Sequence, residues 1–182
     1  SSRVGNLWWI WGRIIKRWGK IGGDDWHVGN KTRTDRMPQR PEEIALERIK
    51  EAAESGAETL DLKELGLRSL PNELWELTNL KELHLQQNEF FDIPADIAKL
   101  VNLISLDISN SYTSLVLNET RNKIARLPEE LWRLPGLRKL DISFNDFDDI
   151  PAELWQKKDW ELLGLGGLKL ASLPPEIGQL QH

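Results

Sequence analysis

One spacing of aliphatic residues recurs five times over residues 57–182, and it constrains the fold more than any other feature of the chain. Five prolines, each preceded by Leu or Ile, mark the copies: Pro71, Pro94, Pro128, Pro151 and Pro174. They lie 23, 34, 23 and 23 residues apart, so one copy carries 11 additional residues. Of the 35 positions that should be apolar, 34 are, and Lys157 is the exception. A repeat of this length predicts a solenoid in which stacked coils share one core.

Each copy contains a triplet of the form L-x-L, which is typical of a short β-strand. Neighbouring strand residues point to opposite faces, so the two aliphatic side chains face the core and the middle one faces solvent. An asparagine follows in the middle three copies: Asn88, Asn122 and Asn145. A buried amide there would bond backbone groups that an apolar residue leaves unpaired. We therefore predict a ladder of buried amides, which ends where Leu65 and Leu168 replace Asn.

The full spelling, L-x-x-L-x-L-x-x-N-x-L-x-x-L-P-x-x-L-x-x-L, is similar to that of leucine-rich-repeat proteins of the 23-residue LPxELxxLxxL type. Intracellular Ras-interacting and Ras-suppressor-like proteins and bacterial Roco-type proteins carry such repeats. The resemblance covers residues 57–182. It implies an α/β fold, a leucine-rich-repeat solenoid (horseshoe) with a concave parallel β-sheet and a short helical or extended convex side.

Residues 41–56 are predicted to form an N-terminal capping helix. Pro41 suits a first helical turn, Glu42 and Glu43 favour the positive end of the helix dipole, and Gly56 provides a left-handed stop. The expected apolar face contains Ile44, Ala45, Leu46, Ile49, Ala52 and Ala53, with Arg48, Lys50 and Glu51 facing water. Such a helix would cover the open edge of the first coil, because a stacked solenoid exposes its core at each end.

The 11 additional residues are best placed at 111–121, in the third repeat. An insertion there leaves the coil just after its strand, so we expect it to project at the rim of the concave face. Tyr112, Leu115 and Leu117 are its candidate contact residues, since loops on a rigid scaffold often bind partners. Alternatively, the insertion is a tolerated loop that pairs with the strand edge or packs over a neighbouring coil.

Residues 1–40 differ from the rest of the chain. They hold five of the nine tryptophans and nine Lys/Arg against three Asp/Glu. Residues 7–21 have the spacing of a basic amphipathic helix, followed by a linker, with Trp11, Arg13, Lys16, Arg17 and Trp18 as candidate contacts to a membrane surface or a partner groove. Two other interpretations remain: an irregular cap over the first repeat, or a remnant that is not native.

The outward strand residues form the candidate partner-binding surface. They are Asp61, Glu82, His84, Ser105, Asp107, Lys139 and Asp141. Residues 41–182 carry a net charge of −11, from 15 Lys/Arg and 26 Asp/Glu, which argues against nucleic acid. A mostly acidic, rigid surface favours a protein partner that presents Lys or Arg. The alternative is that these residues only keep an exposed sheet soluble.

We expect the recurring Trp75, Trp132 and Trp155 to stack against neighbouring coils on the convex side.

The motifs that enzymes need are missing from the sequence. There is no G-x-x-x-x-G-K-[ST] phosphate loop and no G-x-S-x-G elbow, and His27, His84 and His182 lack metal-ligand spacing. We therefore expect no catalytic residue, no cofactor and no metal site.

The lack of cysteine and of a secretory leader favours a cytoplasmic location. The sequence stops on a repeat boundary, which we interpret as a protein that continues or a last coil that another chain covers.

Three hypotheses about function follow. The first is a non-enzymatic scaffold that holds a protein on the concave face. The second is the sensing or targeting region of a larger signalling enzyme, such as a Roco-type GTPase or a ligase. The third is a membrane-surface adaptor anchored by residues 7–21.

Overall fold

The computed structural model describes residues 39–117 and 120–170, without the side chains of 115–117. These residues belong to the unit Pro38–His182. The predicted helix at residues 7–21, with Trp11, Arg13, Lys16, Arg17 and Trp18, and the end of the fifth repeat lie outside the described residues. In chain order the elements are α1 (Pro41–Ser55), β1 (Thr59–Asp61), a 3-10 helix (Asn72–Glu76), β2 (Glu82–His84), a 3-10 helix (Ala95–Lys99), β3 (Ser105–Asp107), α2 (Tyr112–Leu117), a 3-10 helix (Glu129–Arg133), β4 (Lys139–Asp141), α3 (Ala152–Gln156) and β5 (Leu162–Gly164).

Helix α1 begins and ends as its sequence predicts. Pro41 is in the first turn, and the Glu43 carboxylate accepts a bond from the backbone N–H of Arg40 (3.2 Å). Gly56 ends the helix with φ 66°, a left-handed conformation that suits glycine. The helix packs against β1 and the first 3-10 helix, with Ala45 and Ile49 buried. It therefore covers the first coil, as expected.

The apolar face of α1 is narrower than the sequence predicts, and one of its polar residues is placed differently. Leu46 and Ala53 are exposed. Arg48, which was expected to face water, is half-buried, and its Nη1 donates to the carbonyl of Asp61 (2.8 Å). The prediction for Arg48 is wrong because its guanidinium pairs with a carbonyl at the end of β1 that would otherwise lack a partner at this edge of the sheet.

The five strands form one parallel sheet in the order β1-β2-β3-β4-β5. Each strand pairs with the equivalent strand of the next repeat, so that Leu60, Leu83, Leu106, Leu140 and Leu163 are in register. The 11 additional residues do not shift the pairing of β3 with β4. The insertion is thus accommodated outside the repeat frame, as the spacing of the prolines predicts.

A short helix follows the proline of each described repeat on the convex side. Pro71, Pro94, Pro128 and Pro151 all have φ between −60° and −68° and directly precede these helices. Proline suits this place because its φ is fixed and it needs no N–H partner. Trp75 and Trp155 are buried there, and Trp132 packs partly buried against the core. The prediction that these rings stack inward is confirmed.

In the coils that the structure describes, the aliphatic positions of the repeat face inward. Lys157 shows how the one polar exception is accommodated. Its ammonium pairs with Asp159 (3.0 Å) and lies 5.6 Å from the ring centre of Trp160, so the stem can cover apolar surface while the charge reaches solvent. In the last coil, Leu163 and Leu165 are only half-buried. Burial therefore differs between equivalent leucines along the stack.

The predicted asparagine ladder is present. The amide nitrogens of Asn88, Asn122 and Asn145 each donate to carbonyls of two successive coils, over 2.8–3.1 Å. Their amide oxygens accept the N–H of Leu67, Phe90 and Ile124, each in the preceding coil. Each side chain thus satisfies backbone groups on both sides of a coil boundary.

Candidate partner-binding face

The outward side chains of the strands form two columns on one side of the sheet, which we call the concave face. One column contains Thr59, Glu82, Ser105, Lys139 and Leu162, and the other contains Asp61, His84, Asp107, Asp141 and Gly164. All seven predicted contact residues lie in these columns and are half-buried. The structure therefore brings them together, and their role in binding stays a prediction.

The three aspartates of the acidic column have a structural role that the sequence analysis missed. Each Oδ1 accepts the backbone N–H two residues further on, from Lys63, Ser109 and Ser143, over 2.9–3.0 Å. These bonds close the turn at the end of each strand. The sequence signal for this role was the recurring spelling D-x-K or D-x-S, which begins at the last residue of the strand. One oxygen of each carboxylate is thus occupied within the coil.

The second carboxylate oxygens differ in their surroundings. Oδ2 of Asp61 lies 3.3 Å from the Lys63 ammonium, and Oδ2 of Asp107 accepts a bond from Gln86 Nε2 (2.7 Å). Among the described residues, none donates a hydrogen bond to Oδ2 of Asp141. The carboxylate of Asp141 lies directly over Gly164, where a Cβ atom would overlap it. Oδ2 of Asp141 therefore differs from that of Asp61 and Asp107 in having no donor within the described part of the chain.

Partial burial raises the pKa of Asp61, but the backbone N–H and ammonium of Lys63 and the nearby His84 lower it more. The net pKa of Asp61 is below its ordinary value, so this residue is ionised at neutral pH. His84 lies between Asp61 and Asp107 in the register, and its Nε2 is 3.9 Å from Glu82. The Lys139 ammonium pairs with the Glu161 carboxylate (3.7 Å), and this pairing reduces the positive charge that Lys139 presents to the neighbouring Asp141. The face is therefore dominated by negative charge.

The insertion forms a short helix, α2, that contacts the coils on both sides of its own. Ser114 Oγ donates to Gln87 Oε1 of the second coil (3.1 Å), and the ring of Tyr112 lies 6.1 Å from that of Phe144 in the fourth. Tyr112 is 66% exposed. The alternative that the insertion pairs with the strand edge is wrong for its described residues, because residues 112–117 form a helix. Ser114 and Tyr112 contact neighbouring coils, and packing of the rest of the insertion stays a prediction. The predicted contacts Leu115 and Leu117 have side chains outside the described part.

Both ends of the insertion are held at its base. Asn110 is buried, and its amide bonds the backbone N–H and carbonyl of Asn122 across the 11 intervening residues (2.7 and 3.0 Å). Arg121 donates to both carboxylate oxygens of Asp146 in the next coil (3.1 and 3.2 Å). The sequence analysis missed these residues, although Asn110 and Asn122 directly flank the additional stretch. The insertion is therefore anchored at its base.

Two further findings concern what the described residues do not contain. Within residues 39–117 and 120–170, no group of three or more His, Cys, Asp or Glu side chains is placed to hold a metal ion. No helix in the same part of the chain is long and apolar enough to cross a bilayer.

The described fold is a parallel-strand solenoid built from repeats, and comparison with known proteins identifies the kind of repeat. The family model "Leucine Rich Repeat" matches residues 136–157. The chain is similar to a Dictyostelium discoideum protein named probable serine/threonine-protein kinase pats1, with 34% identity over 129 residues, which is 69% of this chain and 4% of that protein. It is also similar to the Mus musculus leucine-rich repeat and calponin homology domain-containing protein 1, with 33% identity over 75% of this chain and 18% of that protein.

Among solved structures, the leucine-rich repeat domain of APL1B matches with a TM-score of 0.52 and 18% identity, over 71% of this chain and 36% of that one. The chain therefore carries leucine-rich repeats. It spans only a small part of the curated relatives that it matches. That these repeats belong to the 23-residue LPxELxxLxxL type stays a prediction.

Proposed function

We propose that this chain is a non-enzymatic interaction domain that binds a basic segment of a partner protein on its concave face. The observation that carries the proposal is the acidic column, in which Asp61, Asp107 and Asp141 face outward from one sheet. Leucine-rich-repeat domains generally bind protein partners. Charged groups held on such a surface steer an oppositely charged partner and fix its orientation.

The rigidity of the scaffold also supports this function. Each aspartate is bonded to the backbone of its own coil, and the sheet beneath is fixed by the asparagine ladder. The charges are therefore held in place before a partner arrives, which lowers the entropy lost on binding. A catalytic role has no support from the fold, since such domains are typically not enzymes.

The test uses substitutions that remove charge without removing the backbone bond. In Asp107→Asn with Asp141→Asn, the amide oxygen can still accept from Ser109 and Ser143. The control is Glu73→Gln with Glu129→Gln, which removes two charges from exposed residues on the convex helices. A partner captured by the full chain and identified by mass spectrometry should be retained at least fivefold less by the first variant and equally by the second. The proposal would be refuted if both variants retained the partner as well as the wild-type chain does.

The likeness to the Dictyostelium kinase favours a second candidate, in which the repeats are the sensing or targeting region of a larger signalling protein, such as a Roco-type GTPase or a ligase. The reading frame around this sequence tests this candidate, because a catalytic domain in the same frame is required.

A membrane-surface adaptor using residues 7–21 and a cytoplasmic location both remain predictions from the sequence. Co-sedimentation of the full chain with anionic and neutral vesicles tests the adaptor: failure to bind either would remove it.

A further inference from the structure

Two aromatic rings stand together beside the end of the acidic column. Tyr112, on the insertion, and Phe144, after β4, have ring centres 6.1 Å apart and planes at 62°. Tyr112 is largely exposed and Phe144 is half-buried. Aromatic rings with an accessible face are frequent anchors in protein interfaces.

Phe144 occupies a backbone conformation that a bulky residue rarely adopts. Its φ is 59°, in the left-handed region. The equivalent turn positions in the other regular coils are held by Glu64, Gln87 and Gly167, all with positive φ, so the turn itself imposes this conformation. The Phe144 ring lies over Gly167, where a Cβ atom would overlap it. A phenylalanine at this position therefore places its ring over the turn of the fifth coil and beside Tyr112.

Tyr112 is held at the same place by bonds on either side of it. Ser111 and Ser114 are bonded to each other, Ser114 is bonded to Gln87 of the second coil, and Arg121 is bonded to Asp146 of the fourth. The exposed ring is therefore presented by an anchored helix. A ring that is already ordered loses less conformational entropy when it binds.

The charge beside the two rings indicates what they would contact. Asp141 precedes Phe144 by three residues, so their Cα atoms are at most about 10 Å apart. Its Oδ1 accepts the backbone N–H of Ser143, and Asp141 is the last acidic residue of the column, next to Gly164. An arginine can pair with a carboxylate and also lie over an aromatic face.

We propose that Tyr112, Phe144 and Asp141 form one subsite for an extended segment of a partner protein, in which an arginine is followed two residues later by a large apolar side chain. In an extended chain these two side chains are about 7 Å apart and point to the same side. The arginine pairs with Asp141, and the apolar side chain packs against Tyr112 and Phe144. This proposal rests on the proposed function, and it names the position and the chemistry of the contact.

Tyr112 is the only tyrosine of the chain, so 3-fluorotyrosine labels this site alone. The full chain carrying this label is titrated with the peptide acetyl-Gly-Ser-Arg-Ser-Trp-Gly-Ser-amide and observed by fluorine NMR. The matched peptides have Glu in place of Arg, or Ser in place of Trp. We expect a saturable shift of the resonance with the first peptide and at least tenfold weaker binding of the other two. Equal binding of the Arg and Glu peptides would overturn the proposal.

Two substitutions with a matched control locate the effect. Phe144→Gly removes the ring and suits a positive φ, so it should fold while binding the peptide at least fivefold more weakly. Asp141→Asn, which keeps an acceptor for Ser143, should weaken binding similarly. Phe91→Ala removes a ring that is 63% exposed and lies 5.8 Å from the Lys123 ammonium, away from the strands' outward columns, and should leave binding unchanged. Undiminished binding by folded Phe144→Gly would refute the subsite.

The same variants separate this proposal from the proposed function. If retention of the captured partner falls with Asp107→Asn and Asp141→Asn but not with Phe144→Gly, the concave face binds and the subsite is refuted. If the peptide binds at Tyr112 as expected while the Asp-to-Asn pair retains the partner fully, the subsite stands and the proposed function is refuted.

Discussion

The buried asparagines connect the coils by hydrogen bonds that no apolar residue could replace. Asn122 shows this best, because it lies at the end of the insertion and still occupies its place in the ladder. Its amide nitrogen donates to the carbonyls of Leu85 (2.9 Å) and Ile108 (3.1 Å), and its oxygen accepts from Phe90. An unpaired buried polar group costs about 1–3 kcal/mol. The side chain therefore matters more for stability than its size suggests.

We predict that Asn122→Ala lowers the free energy of unfolding by roughly 2 kcal/mol, because it leaves the buried N–H of Phe90 without its partner and removes one of the two donors to the carbonyls of Leu85 and Ile108. Urea denaturation followed by circular dichroism measures this loss. Asn102→Ala is the matched control, since the amide of Asn102 also bonds a carbonyl, that of Thr78, but on the surface. The control should cost less than about 1 kcal/mol. Similar losses in the two variants would show that burial of the amide is not the cause.

At the scale of elements, the insertion is fixed to the stack by an ion pair that is largely shielded from solvent. The side chain of Arg121 is only 11% exposed, and Asp146 also lies 3.3 Å from the Lys169 ammonium. Partial burial raises the pKa of Asp146, but the bonds from Arg121 and Lys169 lower it further than burial raises it. The net pKa lies below the ordinary aspartate value. Folding is therefore linked to ionisation of this carboxylate.

We predict that Asp146→Asn lowers stability by about 1 kcal/mol at pH 7, and that this difference disappears in acid. A carboxylate with a lowered folded-state pKa stabilises the protein fully above the unfolded pKa, near 4. The stabilisation is lost as the pH falls through the folded-state value, because the unfolded chain then binds the proton more readily.

Urea denaturation of both proteins between pH 2.5 and 7 measures the difference. Asp96→Asn, at the exposed ion pair with Lys99, is the control and should change stability by only a few tenths of a kcal/mol. A difference between wild type and Asp146→Asn that stays constant down to the lowest pH would contradict the linkage.

For the molecule as a whole, stability depends on where a coil lies in the stack. A repeat of 23 residues orders many backbone torsions, and it offsets that entropy only through interfaces with its neighbours. Leu83, in the second coil, is fully buried between two strands, whereas the equivalent Leu163, in the fifth, is half-buried. Identical side chains at identical repeat positions therefore contribute unequally.

We predict that Leu83→Ala costs about 3 kcal/mol and that Leu163→Ala costs about 1 kcal/mol, because the lost contacts and the cavity scale with burial. The midpoint of urea denaturation, at unchanged dependence on urea concentration, gives both values. Equal losses at the two positions would mean that the fifth coil is packed as tightly as the second.

Local sequence patterns were sufficient to predict the frame of the fold. The inward leucines, the turn prolines, the capping helix and the three ladder asparagines follow from periods and single-residue conformational preferences, which act within one repeat. The seven predicted contact residues lie on one face for the same reason, since every second strand residue points outward.

Contacts between elements were beyond those patterns, because the residues involved are 12 to 34 positions apart in the chain and lie together only once the coils stack. The pairing of Tyr112 with Phe144, the bond from Arg48 to Asp61, the anchor between Arg121 and Asp146, and the burial of Asn110 are of this kind. The sequence by itself determined the repeating coil and the residues it turns outward. Only the tertiary structure decided which of those residues are neighbours, because neighbours across coils are set by stacking and not by spacing along the chain.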